Sequence, residues 1–337
     1  MDTQELKTWA QELGFCDAAL CSAAPFDAQR EAVHNQPPLS ERKQLRFNPQ
    51  EDDARMRSIA VLLWPYQPHE LPQGRALFVD SYYQASNAAY HAAKALEERL
   101  KHAGHYAKAN VSYPAKEAAA RAGLGVIGDH SLLIHPVYGT RVVIILMATD
   151  ITAPEEAPAP RKECLHCGRC VIACPTGAIG QDGMNHPERC LRNFMMEGHI
   201  VPEEIRTLMR NRLIGCDICQ RVCPMQKPEM KESRSWQLEE FVSYDPVVFS
   251  ESVKQLAQEI GRNTARPQRV RAQAALLCGC IGDERDLPTL KTWAESDFEA
   301  VRVHAQWAIE QIEAKRHQSC GSTRSVLDQS TQTGYNI

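Results

Sequence analysis

Eight of the thirteen cysteines in this 337-residue chain lie between positions 164 and 223: Cys164, Cys167, Cys170, Cys174, Cys190, Cys216, Cys219 and Cys223. The first four read C-x2-C-x2-C-x3-C-P, closing at Pro175. Such a run holds one 4Fe–4S cluster with three thiolates and sends the fourth to a second cluster. The last three read C-x2-C-x3-C-P, closing at Pro224, with Leu213 where the first cysteine of a full run would stand. Two cubane clusters need eight thiolates, and Cys190 completes the number. Crossing the final cysteines assigns Cys164, Cys167, Cys170 and Cys223 to the first cluster. The second then takes Cys174, Cys190, Cys216 and Cys219. Two four-thiolate zinc sites are the alternative, but zinc ribbons favour paired C-x2-C knuckles. Cys16, Cys21, Cys278, Cys280 and Cys320 lack ligand spacing and read as small apolar residues.

The elements that must hold these thiols fall into four segments. Residues 1–150 read as an α/β domain, with helical spacing over 3–13 and buried strands at Ile59–Trp64 and Val142–Ala148. Between the strands, the small and apolar residues from Ala85 to Leu100 mark one face of a long helix over Tyr82–Leu100. Residues 151–230 form the cluster domain, entered through the Pro/Ala/Glu linker Ile151–Lys162. Residues 231–317 read as HEAT-like helical repeats, because Val270-Arg271-x-x-Ala274 recurs as Val301-Arg302-x-x-Ala305. The Ser/Thr/Gln-rich residues 318–337 read as a disordered tail.

Composition narrows the setting. A net charge of −4 excludes a globally basic nucleic-acid coat but not a local basic patch. The start, MDTQELKTWAQEL, lacks the pattern of a signal peptide, and Val142–Ala148 is far short of the ~20 apolar residues of a membrane span. A cytoplasmic monomer without a membrane partner is expected, with reduced thiols rather than a disulfide framework.

Two motifs mislead. Gly123-Leu-Gly125-Val-Ile-Gly128 spells G-x-G-x-x-G, but the helix-forming Ala115–Ala122 precedes it, so the glycines close a helix instead of opening one. They read as a close-approach loop over Gly123–Ile134. The D-x-H-x-x-G motif of some corrinoid proteins is absent, since Asp129-His130 lacks its spacing.

Four features in order resemble the epoxyqueuosine reductase family: Arg121-Ala-Gly-Leu-Gly125; the run ending Cys174-Pro-Thr-Gly-Ala178; Arg189-Cys190; and Arg212-Leu-Ile-Gly-Cys-Asp-Ile-Cys-Gln-Arg-Val-Cys-Pro224. The resemblance spans roughly residues 40–315 and is most specific at the cysteines. It implies a nitroreductase-like α/β domain that binds cobalamin and an external low-potential electron donor. The substrate it implies is an epoxide on the wobble-position cyclopentane ring of tRNA, reduced to an alkene. By position, Arg46, Tyr82, Leu133, Ile144, Arg192 and Asp217 match places that line the family's corrin site. The family's acidic proton donor falls at Ser112, within Asn110-Val-Ser-Tyr-Pro114, and a serine hydroxyl does not replace a carboxylic acid near neutral pH. Tyr113 is the expected acid, with its pKa lowered by Lys116, and Asp80 is the alternative. Related readings are a corrinoid reductase of small molecules, such as a dehalogenase, and a two-cluster electron-transfer protein. Two arginine groups offer phosphate contacts: Arg262, Arg266, Arg269 and Arg271, and Arg206, Arg210, Arg212 and Arg221.

Overall fold

A computed structural model describes residues 1–35, 45–154, 163–180, 185–197, 199–226, 236–243 and 245–328. The chain opens with α1 (Thr3–Glu12), whose N-cap Asp2 accepts the Glu5 N–H at 2.8 Å. There follow β1 (Asp17–Ser22), α2 (Asp27–His34), the short α3 (Pro49–Asp52), β2 (Ser58–Pro65) and β3 (Ala76–Val79). Next come α4 (Ser81–His102), β4 (Ala107–Ala109), α5 (Ala115–Arg121), β5 (Val126–Ile127), β6 (Leu133–Ile134) and β7 (Val142–Thr149).

Strands β1, β2, β7 and β4 form one sheet in that order, antiparallel throughout. The apolar run of β7 is continuous because both faces are covered. Val143, Ile145 and Met147 pack with α1 and α4, whereas Val142, Leu146 and Ala148 pack on the opposite side with Ala118 and Ala119 of α5. Helix α4 extends one residue before and two beyond the expected span, since Asp80 caps its start by accepting the Tyr82 N–H at 3.0 Å. Helix α5 ends at Gly123 with φ +73°, as its sequence predicts. The loop expected over Gly123–Ile134 is instead a small hairpin, β5 pairing with β6.

The cysteine segment carries α6 (Arg169–Ala173), α7 (Leu191–Glu197), α8 (Glu203–Arg206), β8 (Arg212–Ile214) and α9 (Ile218–Arg221). Strand β8 pairs in parallel with β3, which also pairs with β9 (Trp236–Gln237), so the cluster segment is stitched into the rest by backbone hydrogen bonds. The C-terminal part is helical: α10 (Leu238–Phe241), α11 (Pro246–Ile260), α12 (Pro267–Ile281), α13 (Leu287–Trp293) and α14 (Glu299–Asp328). The recurrent Val270 and Ala274 of α12 and Val301 and Ala305 of α14 are all fully buried in one core. Side chains from Gln318 onward, and everything beyond Asp328, lie outside the described residues, and with them the expected tail. Among the described residues no helix is long and apolar enough to cross a membrane.

Candidate functional site

Helix α6 carries Cys170 and ends at Cys174, while α9, which packs against α6, carries Cys219 and lies between Cys216 and Cys223. The thiols lie close enough to act on one another, and Cys170 is felt by Cys219 while itself feeling Cys223. Burial pushes Cys219 up, and Cys216, Cys190, Cys174 and then Cys170 push it further. Burial likewise raises Cys216 to about 12, with Cys190 adding to the effect. Cys190, raised by burial, feels Cys174 in turn. On the other side, burial raises Cys223 and its thiolate neighbours are Cys164 and Cys167. Cys170, buried and raised, feels Cys223. Burial also acts upward on Cys174, but hydrogen bonds from the Thr176 hydroxyl and from the N–H groups of Thr176, Ala178 and Ile179 outweigh it and lower the thiol.

Thiols packed this way repel one another once ionised, so the donor set calls for a cation-rich group that takes thiolates. It fits two 4Fe–4S clusters. Leu213, at the missing cysteine position, is fully buried in the helical core, and Cys190 stands beside Cys216 and Cys219 instead. Of these thiols Cys167 is exposed and Cys170 is buried, while the other six are half-buried.

A buried polar cluster adjoins the second group. The Asp217 carboxylate is almost wholly buried; Arg141 donates to its Oδ2 at 3.3 Å, and Arg221 Nε lies 2.8 Å from the same oxygen without hydrogen-bond alignment. Asp80, buried nearby, is pushed up to about 6 by burial and then by the Asp217 charge, against the Tyr82 N–H and both arginines. Gln220 Oε1 accepts from the Tyr66 hydroxyl at 3.0 Å and from Thr140 at 3.2 Å, tying α9 to the ends of the large sheet.

On the α5 side of that sheet a cavity of about 430 Å³ is lined by Arg46, Asp52, Asn110, Ser112 and Tyr113, among others. Arg46 donates its backbone N–H to Ser112 O at 2.8 Å and its guanidinium to Asp52 Oδ1 at 3.0 Å. The Tyr113 hydroxyl donates to Asp52 Oδ2 at 2.8 Å, and its ring stacks on Phe26. The expected lowering of Tyr113 by Lys116 does not occur. Lys116 donates to Ser131 O, and burial followed by the Asp52 charge raises Tyr113 above the ordinary phenol range. Sequence reasoning missed Asp52, because one acid among Glu51, Asp52 and Asp53 carries no local signal. Asp80 lies elsewhere, at the start of α4.

The six positions matched to the corrin site divide. Leu133 and Ile144 pack on the α5 face with Tyr113, and Arg46 reaches the cavity there. Tyr82 packs against Tyr66 and Tyr83, Arg192 donates to the Tyr83 hydroxyl at 3.2 Å, and Asp217 is held in its ion pairs beside the second thiol group. Leu133 and Asp217 are almost fully buried, and of the six only Arg46 lines the cavity.

The arginine groups also change meaning. Arg206 and Arg212 are buried, stacked over Trp307 and Phe78, and Arg221 is held at Asp217; of that group Arg210 alone is exposed. In the other group, Arg262 and Arg266 are exposed and Arg271 stacks on Phe249.

A family profile described as a 4Fe-4S double cluster binding domain matches residues 163–226. Over 209 residues the chain is 34% identical to the epoxyqueuosine reductase of Lactococcus garvieae, covering 58% of each protein. Over 210 residues it is 30% identical to that of Bacillus subtilis, covering 58% of this chain and 53% of the relative. The chain thus spans a little over half the length of the curated relatives it matches. A crystal structure of selenomethionine-labelled epoxyqueuosine reductase matches with a TM-score of 0.73 at 24% identity, over 92% of this chain and 90% of that one. The fold is that of the epoxyqueuosine reductases. A structure of such an enzyme with a tRNA-Tyr epoxyqueuosine-modified stem loop matches with a TM-score of 0.74 at 23% identity, over 92% and 89% of the two chains. The sequence resemblance therefore extends to the architecture around the cysteines.

Proposed function

We propose that this chain is an iron–sulfur oxidoreductase that reduces epoxyqueuosine in tRNA to queuosine. The observation that carries the reading is a cysteine segment matching a 4Fe-4S double cluster domain, set within this fold; the crossed ligand assignment is part of the proposal. The reaction takes two electrons and two protons, and it converts the epoxide to an alkene and water. The two clusters supply single electrons taken from an external low-potential donor. In this reading the sheet domain is nitroreductase-like, the C-terminal helices are HEAT-like repeats, and the exposed Arg262 and Arg266 contribute phosphate contacts to tRNA. Because tRNA is the substrate, the chain acts in the cytoplasm.

Tyr113 is the proposed acid for the departing oxygen. An alkoxide leaving a carbon is a strong base, so a phenol held above its ordinary pKa still transfers its proton. Such a phenol also remains protonated throughout the neutral range. Asp52 accepts from that hydroxyl and Arg46 pairs with Asp52, so the dyad's orientation is set from α3 and the turn before it. The resemblance adds cobalamin as a cofactor, which when bound supplies a cobalt nucleophile. Arg46, Tyr82, Leu133, Ile144, Arg192 and Asp217 are the residues that would hold it.

The test is anaerobic reconstitution followed by assay on an epoxyqueuosine-bearing tRNA stem loop, with cobalamin content measured separately. Wild type is expected to form queuosine, and Tyr113→Phe to turn over roughly 10²- to 10⁴-fold more slowly with its iron unchanged. Full turnover by Tyr113→Phe removes Tyr113 from the role and leaves Asp80. No conversion by an iron-replete wild type with bound cobalamin overturns the substrate.

A further inference from the structure

His130 lies two residues beyond Gly128, the last glycine of the G-x-G-x-x-G segment. Its side chain is buried, and Nδ1 accepts the Leu132 N–H at 3.2 Å, which leaves the ring proton on Nε2. Nε2 is itself buried and has no hydrogen-bond partner among the described residues. A buried donor left unpaired is costly and calls for an explanation. Gly128 makes room for the ring: a Cβ there would lie 2.9 Å from His130 Cε1 and 2.7 Å from Ile134 Cδ1. His130 lines a small cavity together with Cys164, Cys167, Cys170 and Cys223, the four thiols of the first group.

We propose that His130 donates its Nε2–H to a sulfur of the first 4Fe–4S cluster and thereby sets that cluster's reduction potential. A hydrogen bond to a cluster sulfur favours the reduced, more negative state and raises the potential. The G-x-G-x-x-G segment is then a device for laying an imidazole against a cluster, not a nucleotide loop. His130 is a positioning residue that acts on electrons through the cluster. The inference rests on the cluster assignment above, and an iron and sulfide count checks that assignment independently.

The experiment is an EPR-monitored redox titration of the reconstituted chain, with Cys190→Ser marking which signal belongs to the second cluster. In His130→Leu the first cluster is expected to lose at least tenfold in reduced-to-oxidised ratio at the wild-type midpoint, a fall of about 59 mV for a one-electron couple. The second cluster should not move. His130→Gln keeps an N–H donor and should stay within about threefold of wild type. Unchanged potentials in an eight-iron His130→Leu protein, or equal shifts of both clusters, overturn the proposal. So does a His130→Gln protein that falls as far as His130→Leu. If His130→Leu cannot hold the first cluster, His130→Gln decides: retention within threefold supports the hydrogen bond, and loss or a tenfold fall rejects it.

Discussion

Cys190 is the proposed ligand whose role depends on a count, because it belongs to no C-x2-C run. It follows the short 3-10 turn Pro187–Arg189, and its thiol is pushed up by burial and by Cys174, while it in turn acts on Cys216 and Cys219. Replacing it should disable one cluster and spare the other. Cys190→Ser is expected to lower iron from about eight to about four per chain and to remove one of two EPR signals. Iron that stays near eight would hand the position to another ligand. At this scale the triplet spacings were plainly readable, since a cubane fixes how its ligands must be spaced. The Asp52–Tyr113 pair was not readable, because the hydrogen bond joins residues 61 positions apart.

Among the elements, α4 and β4 show how a strand that flanks the cavity is held. Glu97 on α4 is buried, accepts the Ala109 N–H of β4 at 3.0 Å, and pairs with Lys94 at 2.7 Å and Lys101 at 2.6 Å. Burial opposes its ionisation, but Lys101, Lys94 and the Ala109 N–H outweigh this and lower it to about 2. A carboxylate lowered in the folded state contributes stability above its ordinary pKa and loses it as pH falls through the lowered value. Glu97→Gln is therefore expected to cost about 1–2 kcal/mol at pH 7, less than the full shift implies because both lysines are 44% exposed. The difference should shrink between about pH 4.5 and pH 2 in urea titrations. A gap that persists unchanged in acid would show that the charge is not its source. The existence of α4 was legible from its alanine face; the pairing of Glu97 with a three-residue edge strand was not, since Ala107–Ala109 has no strand pattern of its own.

At the scale of the whole molecule, Arg75 joins the sheet region to the C-terminal helices. It precedes β3, is 16% exposed, and reaches Glu239 of α10 at 2.5 Å, Asp283 at 3.2 Å and Asp286 at 2.8 Å. Asp286 is only 4% exposed, so removing its partner strands a carboxylate in the interior. Arg75→Met should destabilise the chain by about 3–5 kcal/mol in chemical denaturation. Adding Asp286→Asn should restore at least half, since the amide keeps an acceptor for the Asp283 N–H and carries no charge. Equal loss in single and double variants would mean that packing, not the buried charge, dominates.

The cluster chemistry, the helix ends and the strands of the large sheet belong to the chain as written, because each rests on local spacing, capping or hydrophobic period. Folding decided the rest. It brought Cys190 within electrostatic reach of Cys216 and Cys219, buried Arg206 and Arg212 that read as surface cations, and joined Tyr113 to Asp52 at the cavity. These outcomes turn on burial and on charges meeting at a few ångströms, and both arise only when distant segments are packed together.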